Sequence, residues 1–329
     1  MGGTQGGGLS ALQSSIILPA PEAQGRYYLF TMEENEFDLG GNPADQPQGR
    51  GLSYFLLDFT EADTGLVVEA DVRLFVPAYE GLSATPRADG QGYWVVCAVA
   101  GADELALVSV TAAGVSNPQL FPITSPHGGQ FKFSPDGRFL FNNGHVFAFN
   151  ANSGTPAASP LLSLPSVNAL TTSFTPQSNF LYTVVSTVVD RRLTRYDLNS
   201  PDPLASAAIL AIWANDGLSH QMQIGPNGNL YFLEETFLPR RFGLSEITCP
   251  GSNSPAVNRF VFDFGAGESA PFTGCPISWT PSFYPSPATR IPSDSPMPPS
   301  LLALIRPSIF CPSIQVQPTA GQTGQAAPT

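Results

Sequence analysis

Lysine is almost missing from this chain: Lys132 is the only one in 329 residues, and lysine plus arginine total 14 against 26 aspartates and glutamates. At a net charge of −12 there is no basic stripe of the kind that phosphate backbones or anionic bilayers need. Neither nucleic acid nor membrane insertion is therefore expected. Charged residues of all kinds make up 12%, about half the roughly 25% of an ordinary globular chain. Runs of alanine, leucine, glutamate and lysine are lacking too, so almost no helix is expected. The longest apolar runs, such as "LLALI" at Leu301 to Ile305, fall far short of the roughly 20 residues that span a bilayer. No Cys-x-x-Cys pair exists, which sets aside a zinc ribbon, and no His-Glu-x-x-His suggests a zinc protease. "GLS" recurs at Gly8, Gly51, Gly81, Gly217 and Gly243, but without a Gly-x-Ser-x-Gly elbow it reads as a glycine entering a strand, not as a hydrolase nucleophile. The opening "MGGTQGGGLSALQSS" lacks the basic and apolar regions of a signal peptide. The expectation is that export is handled elsewhere or that the sequence begins inside a larger protein.

What is abundant is turn and strand chemistry. There are 31 glycines, 33 prolines and 23 phenylalanines, and branched and aromatic side chains suit a pleated, half-buried surface. Four cysteines are present, Cys97, Cys249, Cys275 and Cys311, and the first three stand in two readable contexts. Cys97, in the strand-like "YWVVCAVA", reads as a small buried hydrophobe. Cys249 in "ITCPGS" and Cys275 in "TGCPIS" lie in turn-rich segments suited to a disulfide staple. Bonded or free is an even choice there, and a bond would imply an oxidising compartment.

One hairpin is written several times. "FKFSPDGRFLF" (Phe131 to Phe141) alternates apolar residues around a Pro-Asp-Gly corner, and it returns as "TSFTPQSNFLY" and "MQIGPNGNLYF". Pro135, Pro176 and Pro226 align at separations of 41 and 50 residues, and Gly90 of "SATPRADGQGYWVV" precedes Gly137 by 47. A more distant copy, "ILPAPEAQGRYYLFT", places Gly25 at the corner. Periods of about 40 to 50 residues with several strands each are the signature of β-propeller blades. The expected fold is all-β: a β-propeller of four-stranded antiparallel blades with about five visible repeats. Asp136 turns the chain and is not a catalytic acid. The expected organisation is a propeller over residues 1–283, a proline-rich linker over 284–300 and an extended or disordered tail over 301–329.

In order along the chain, "SALQSSIILPAPEAQGRYYLFT", "GLSYFLLDF", "GQGYWVV", "FKFSPDGRFLF", "FTPQSNFLYTV", "LTRYDL" and "MQIGPNGNLYF" resemble the propeller region of large surface and secreted proteins of the Bacteroidetes. Those proteins often carry PKD repeats and a gliding-motility-associated, type IX secretion sorting domain. The resemblance covers about Leu9 to Phe283 and implies an exported propeller within a multidomain surface protein. It implies no reaction. The family usually has more blade-like chain before this point, so the resemblance also implies an open ring, completed by strands of a second polypeptide or a neighbouring copy, or else a truncated sequence.

Candidate site residues come from blade register. Eight positions before each corner proline or its equivalent stand Glu80, His127, Asn168 and Leu218, with His220 two further on. Glu80, His127, Asn168 and His220 are the candidates to line one mouth of the central channel, against the plainer reading of polar lip residues without a ligand. The acidic loop "MEENEFDLGGNPAD" lacks EF-hand spacing. Trp94, Trp213 and Trp279 read as blade packing, and Arg195 with Asp197 as a pair on one strand face. Metal binding is left open and no cofactor is expected. The favoured function is a non-enzymatic interaction or structural module of a secreted or cell-surface assembly, with other protein chains as partners. The alternatives are a propeller enzyme acting on glycans or peptides, and a carbohydrate- or calcium-dependent adhesin.

Overall fold

The computed structural model describes residues 13–21, 23–32, 51–61, 64–75, 81–99, 102–124, 130–165 and 171–264, and no helix occurs among them. Five sheets follow one another along the chain, each an antiparallel meander. Blade 1 is β1 (Ser15–Pro19), β2 (Arg26–Thr31), β3 (Leu52–Asp58) and β4 (Leu66–Phe75). Blade 2 is β5 (Leu82–Pro86), β6 (Tyr93–Ala98) and β7 (Glu104–Thr111), with β8 (Gly114–Val115) and β9 (Gln119–Pro122) sharing the outer edge of β7. Blade 3 is β10 (Phe131–Phe133), β11 (Phe139–Asn142) and β12 (His145–Asn150), edged by β13 (Thr155–Pro156) and β14 (Leu162–Ser163). Blade 4 is β15 (Thr171–Phe174), β16 (Phe180–Ser186), β17 (Asp190–Asp197) and β18 (Ala208–Ala214). Blade 5 is β19 (Gly217–Ile224), β20 (Leu230–Phe237), β21 (Arg240–Thr248) and β22 (Ala256–Asp263). First strands lie beside first strands, β1 by β5, β5 by β10 and β15 by β19, so they form the inner wall. The fold is a β-propeller, as the repeat anticipates.

The hairpin between the first two strands is the repeated device. Its corner residue has positive φ in every blade: Gly25 at 80°, Gly90 at 69°, Gly137 at 70° and Gly228 at 77°, with Ser178 at 59° in blade 4. In blades 2 to 5 that residue's N–H donates to the carbonyl three positions back, from Gly90 to Arg87, Gly137 to Ser134, Ser178 to Thr175 and Gly228 to Gly225, at 2.9–3.0 Å. Left-handed backbone favours glycine because a Cβ crowds the following carbonyl. Ser178 accepts that strain and adds a contact, its Oγ taking the N–H of Asp136 in the neighbouring corner at 3.2 Å. Asp136 is a turn residue, as expected: its carboxylate accepts from Ser134 Oγ at 2.7 Å and from the backbone N–H of Arg138 at 3.1 Å.

Between consecutive blades lie four apolar seams. Leu18, Phe30 and Leu52 of blade 1 meet Val95, Cys97 and Val108 of blade 2. Trp94, Val96 and Leu105 of blade 2 meet Phe131, Leu140 and Phe147 of blade 3. Phe141 and Val146 meet Phe174 and Leu181 of blade 4, and Tyr182 and Leu193 meet Met222 and Phe232 of blade 5. Alternation explains how one strand serves two seams, since successive side chains point to opposite faces. Val95 and Cys97 face blade 1 while Trp94 and Val96 face blade 3. Each fully buried Phe or Leu contributes about 1.5–3 kcal/mol relative to exposure.

Between blade 5 and blade 1 the described residues supply no such cluster. Ile16 is 5% exposed in the first seam, whereas its neighbour Ile17, on the other face of β1, is 50% exposed. Val67 is 59% exposed beside Leu57 on that same face. On blade 5, Leu218 and Phe262 are 46% and 49% exposed.

One pairing expected from sequence does not form. Arg195 Nη1 donates instead to the carbonyl of Ser252 at 2.7 Å, its guanidinium lying over Phe180, while Asp197 accepts the backbone N–H of Asn199. They share a strand face, but the loop after β21 offers the arginine a closer acceptor.

Alanine at two corners should separate backbone strain from crowding. At Gly90 a Cβ meets nothing within 4 Å, whereas at Gly137 it lies 2.9 Å from Thr85 Oγ1. Gly90→Ala should cost about 1 kcal/mol in denaturant unfolding, the left-handed term alone. Gly137→Ala should cost about 2–3 kcal/mol, overpacking being added.

Candidate functional site

Two polar constellations depart from the apolar seams. The first is at the inner wall. Lys132, central in β10, pairs with Phe141 and so points to the blade 4 side of its sheet, opposite Phe131 and Phe133. Its Nζ donates to the carbonyl of Thr172 on β15 at 2.9 Å and to the carbonyl of Met222 on β19. One amine thus joins the first strands of blades 3, 4 and 5. The residue as a whole is half-buried, while its amine is desolvated. Desolvation is the only influence on its titration and pushes the ammonium down to about 7. Two residues before it, just ahead of β10, Gln130 is 8% exposed and its Oε1 is buried without a hydrogen-bond partner.

The second lies between blades 4 and 5. Arg191 on β17 is fully buried and donates to Asp216 Oδ1 at 2.7 Å, to Ser219 Oγ at 3.2 Å and to the carbonyl of Ala214 at 3.4 Å. Its Nη1 stands 3.7 Å from Glu234, also fully buried, on β20. Arg259 of β22 grips both Glu234 oxygens at 3.0–3.1 Å, and Ser245 Oγ donates to the same carboxylate. Both guanidiniums lie over Trp213, at 5.8 Å and 4.9 Å. Desolvation pulls Arg191 below its ordinary value, while Glu234 and Asp216 act to restore it. Two arginines balanced by Glu234 and Asp216 form a closed, self-neutralised network, which suits a clasp between blades.

Of the sequence-derived candidates, Glu80, His127 and Asn168 lie outside the described residues. His220 sits at the β19 bulge, where the register shifts between Ser219 and Met222. Its ring stands edge-on to Phe242 at 6.5 Å. Burial lowers its pKa, Glu235 raises it and Arg191 lowers it again. Among the described residues no three His, Cys, Asp or Glu side chains gather as a metal site. Cys97 is free and buried, its thiol pushed up to about 12 by desolvation, in line with a packing role. Cys249 is disulfide-bonded, and its expected partner Cys275 lies outside the described residues. Trp94 and Trp213 pack within seams, as expected, and Trp279 lies outside the described residues.

Sequence reasoning missed both constellations. "LYFLEETF" held a signal, because Glu234 and Glu235 interrupt a strand that is otherwise apolar. Lys132, a lone lysine between two phenylalanines of the best-preserved corner, held another.

No family model and no curated protein matches this chain. Among solved structures, the chain is similar to hydrazine synthase of Kuenenia stuttgartiensis, with 14% identity and a TM-score of 0.44 over 75% of this chain and 65% of that one. It is also similar to the periplasmic gluconolactonase of Pseudomonas aeruginosa, with 14% identity and a TM-score of 0.46 over 78% and 73% of the two chains. A third likeness is to the Dos1 propeller, with 11% identity and a TM-score of 0.41 over 67% and 52%. Likenesses this distant carry over no activity.

Two outcomes follow for stability. Glu234→Gln leaves the fully buried Arg191 and the part-exposed Arg259 without their shared counter-charge and should cost about 3 kcal/mol or more in urea unfolding. Asp216→Asn, at a side chain that is 42% exposed, should cost about 1 kcal/mol or less. For Lys132, the folded pKa near 7 lies below the ordinary 10.5, so the unfolded chain binds one more proton between those values. Stability contributed by this group should rise with pH across that window, and Lys132→Met should remove that part of the slope in unfolding curves taken from pH 6 to 10.

Proposed function

We propose that this chain is a non-enzymatic interaction module whose propeller is completed by β-sheet from a second protein chain, seated between blade 5 and blade 1. The observation that carries this reading is the contrast within β1, where Ile16 is sealed in a seam and Ile17 is half-exposed. A propeller blade buries both faces only against neighbours. Here the outer faces of the first and last described blades carry Ile17, Val67, Leu218 and Phe262 at 46–59% exposure. Sheet from another chain would cover them as Val95 covers Phe30. The self-neutralised charge network supports a joint between blades in place of a reactive centre.

The proposed setting is secreted or cell-surface. The disulfide at Cys249 supports it, because such bonds persist in oxidising compartments. The resemblance to Bacteroidetes surface propellers points to the same place.

Single-cysteine probes test the reading. Ile17→Cys and Phe262→Cys should react with a thiol reagent in the purified chain far faster than buried Cys97. They should be protected in the natively purified complex, from which Ile17→Asp should release the partner without loss of folded β-sheet signal. If both probes are as slow as Cys97 in an isolated monomer, the chain seals its own ring and the proposal fails. Protection that depends only on this chain's concentration would assign the face to a second copy instead.

A further inference from the structure

We propose that the inner wall at Lys132 and Gln130 is a binding site for a small carboxylate that also carries a hydroxyl, the carboxylate seated on the Lys132 amine and the hydroxyl donating to Gln130 Oε1. Three observations converge. An ammonium has three N–H donors, and protein carbonyls take only two of those on Lys132, at Thr172 and Met222. Buried charges are ordinarily paired, yet no carboxylate acts on this one. Against it stand the carbonyls of Thr172 on β15 and Met222 on β19 and its register partner Phe141 on β11. His220, two residues from Met222, answers to Glu235 and Arg191. The third observation is Gln130, nine-tenths buried two residues ahead of Lys132, with an acceptor oxygen that no described group satisfies.

The empty site resolves its charge by shedding a proton; an anionic ligand resolves it by supplying the missing counter-charge. The two side chains ask for complementary groups. The third N–H of Lys132 needs an acceptor, best an anionic one, because a charge-assisted bond is about twice as strong as a neutral one. Gln130 Oε1 needs a donor. A simple carboxylate meets only the first demand, and a hydroxycarboxylate meets both. Binding takes up the proton that Lys132 lacks when empty, so affinity should fall about tenfold per pH unit above neutrality.

Because Lys132 is the chain's only lysine, protein labelled with [13Cε,15Nζ]lysine gives one side-chain signal. Glycolate, lactate and 3-hydroxypropionate serve as probes, with acetate and propionate as controls. The hydroxy acids should shift that signal saturably, move its titration midpoint upward by a unit or more and bind about tenfold more tightly than acetate. Gln130→Leu should erase the preference for the hydroxyl while keeping acetate binding. Lys132→Met should abolish calorimetric binding of all five. The proposal is overturned if no probe perturbs the lysine signal at millimolar concentration, or if Lys132→Met binds as well as the wild type. Binding without discrimination between lactate and propionate would overturn the role of Gln130.

Discussion

Every blade here is apolar on both faces, and no four-stranded sheet buries both alone. That constraint explains why the chain repeats itself. β6 sends Val95 and Cys97 toward blade 1 and Trp94 and Val96 toward blade 3, so removing either neighbour would strand one row of its side chains in water. Stacked seams satisfy all the inner faces at once and leave only the two outermost in question. The positive-φ corner serves the same end. It reverses the chain in the fewest residues and brings adjacent corners into contact, as where Ser178 takes the N–H of Asp136 and Gly137 lies against Thr85.

The seam between blades 4 and 5 answers a different problem. Burial of Arg191 and Glu234 forfeits hydration worth several kcal/mol per ion, and Coulomb attraction at 3.7 Å does not clearly recover it. The network offsets the rest through directed hydrogen bonds from Ser245 and Arg259 to Glu234 and from Arg191 to Ser219 and Asp216. Apolar seams tolerate sliding, but a fixed set of charged partners does not. The consequence is a specified register between two blades, at little net gain in stability.

How legible this was in the sequence depends on range. The corners are local: Pro-Asp-Gly at residues 135–137 and Pro-Asn-Gly at residues 226–228 dictate their own backbone, and alternation around them dictates the faces, so the propeller class and about five visible repeats could be read directly. Ser178, which breaks the glycine rule, takes the same left-handed corner two residues after the aligned Pro176. Contacts between blades are not local. Arg191 meets Glu234 across 43 positions of sequence, and Lys132 meets Met222 across 90. No spacing rule predicts such meetings, because they depend on how the sheets stack. Arg195 shows the same limit in reverse: a plausible local partner, Asp197, lost to the carbonyl of Ser252, 57 residues away.

Lys132 and Glu234 present the two ways in which a protein interior accommodates an ionisable group. Two arginines and a serine hydroxyl surround Glu234, so its partners are supplied within the fold. Lys132 has carbonyl oxygens but no anion, so its charge is met only by losing a proton or gaining a ligand. The first arrangement is closed and fits a fixed joint between blades. The second is open by one hydrogen bond and one charge, which the proposed ligand would supply at the inner wall. An alanine or threonine would have built the same strand without that deficit. The chain's single lysine ties three inner strands through two carbonyls, and the proposed ligand would account for the donor and the charge left over.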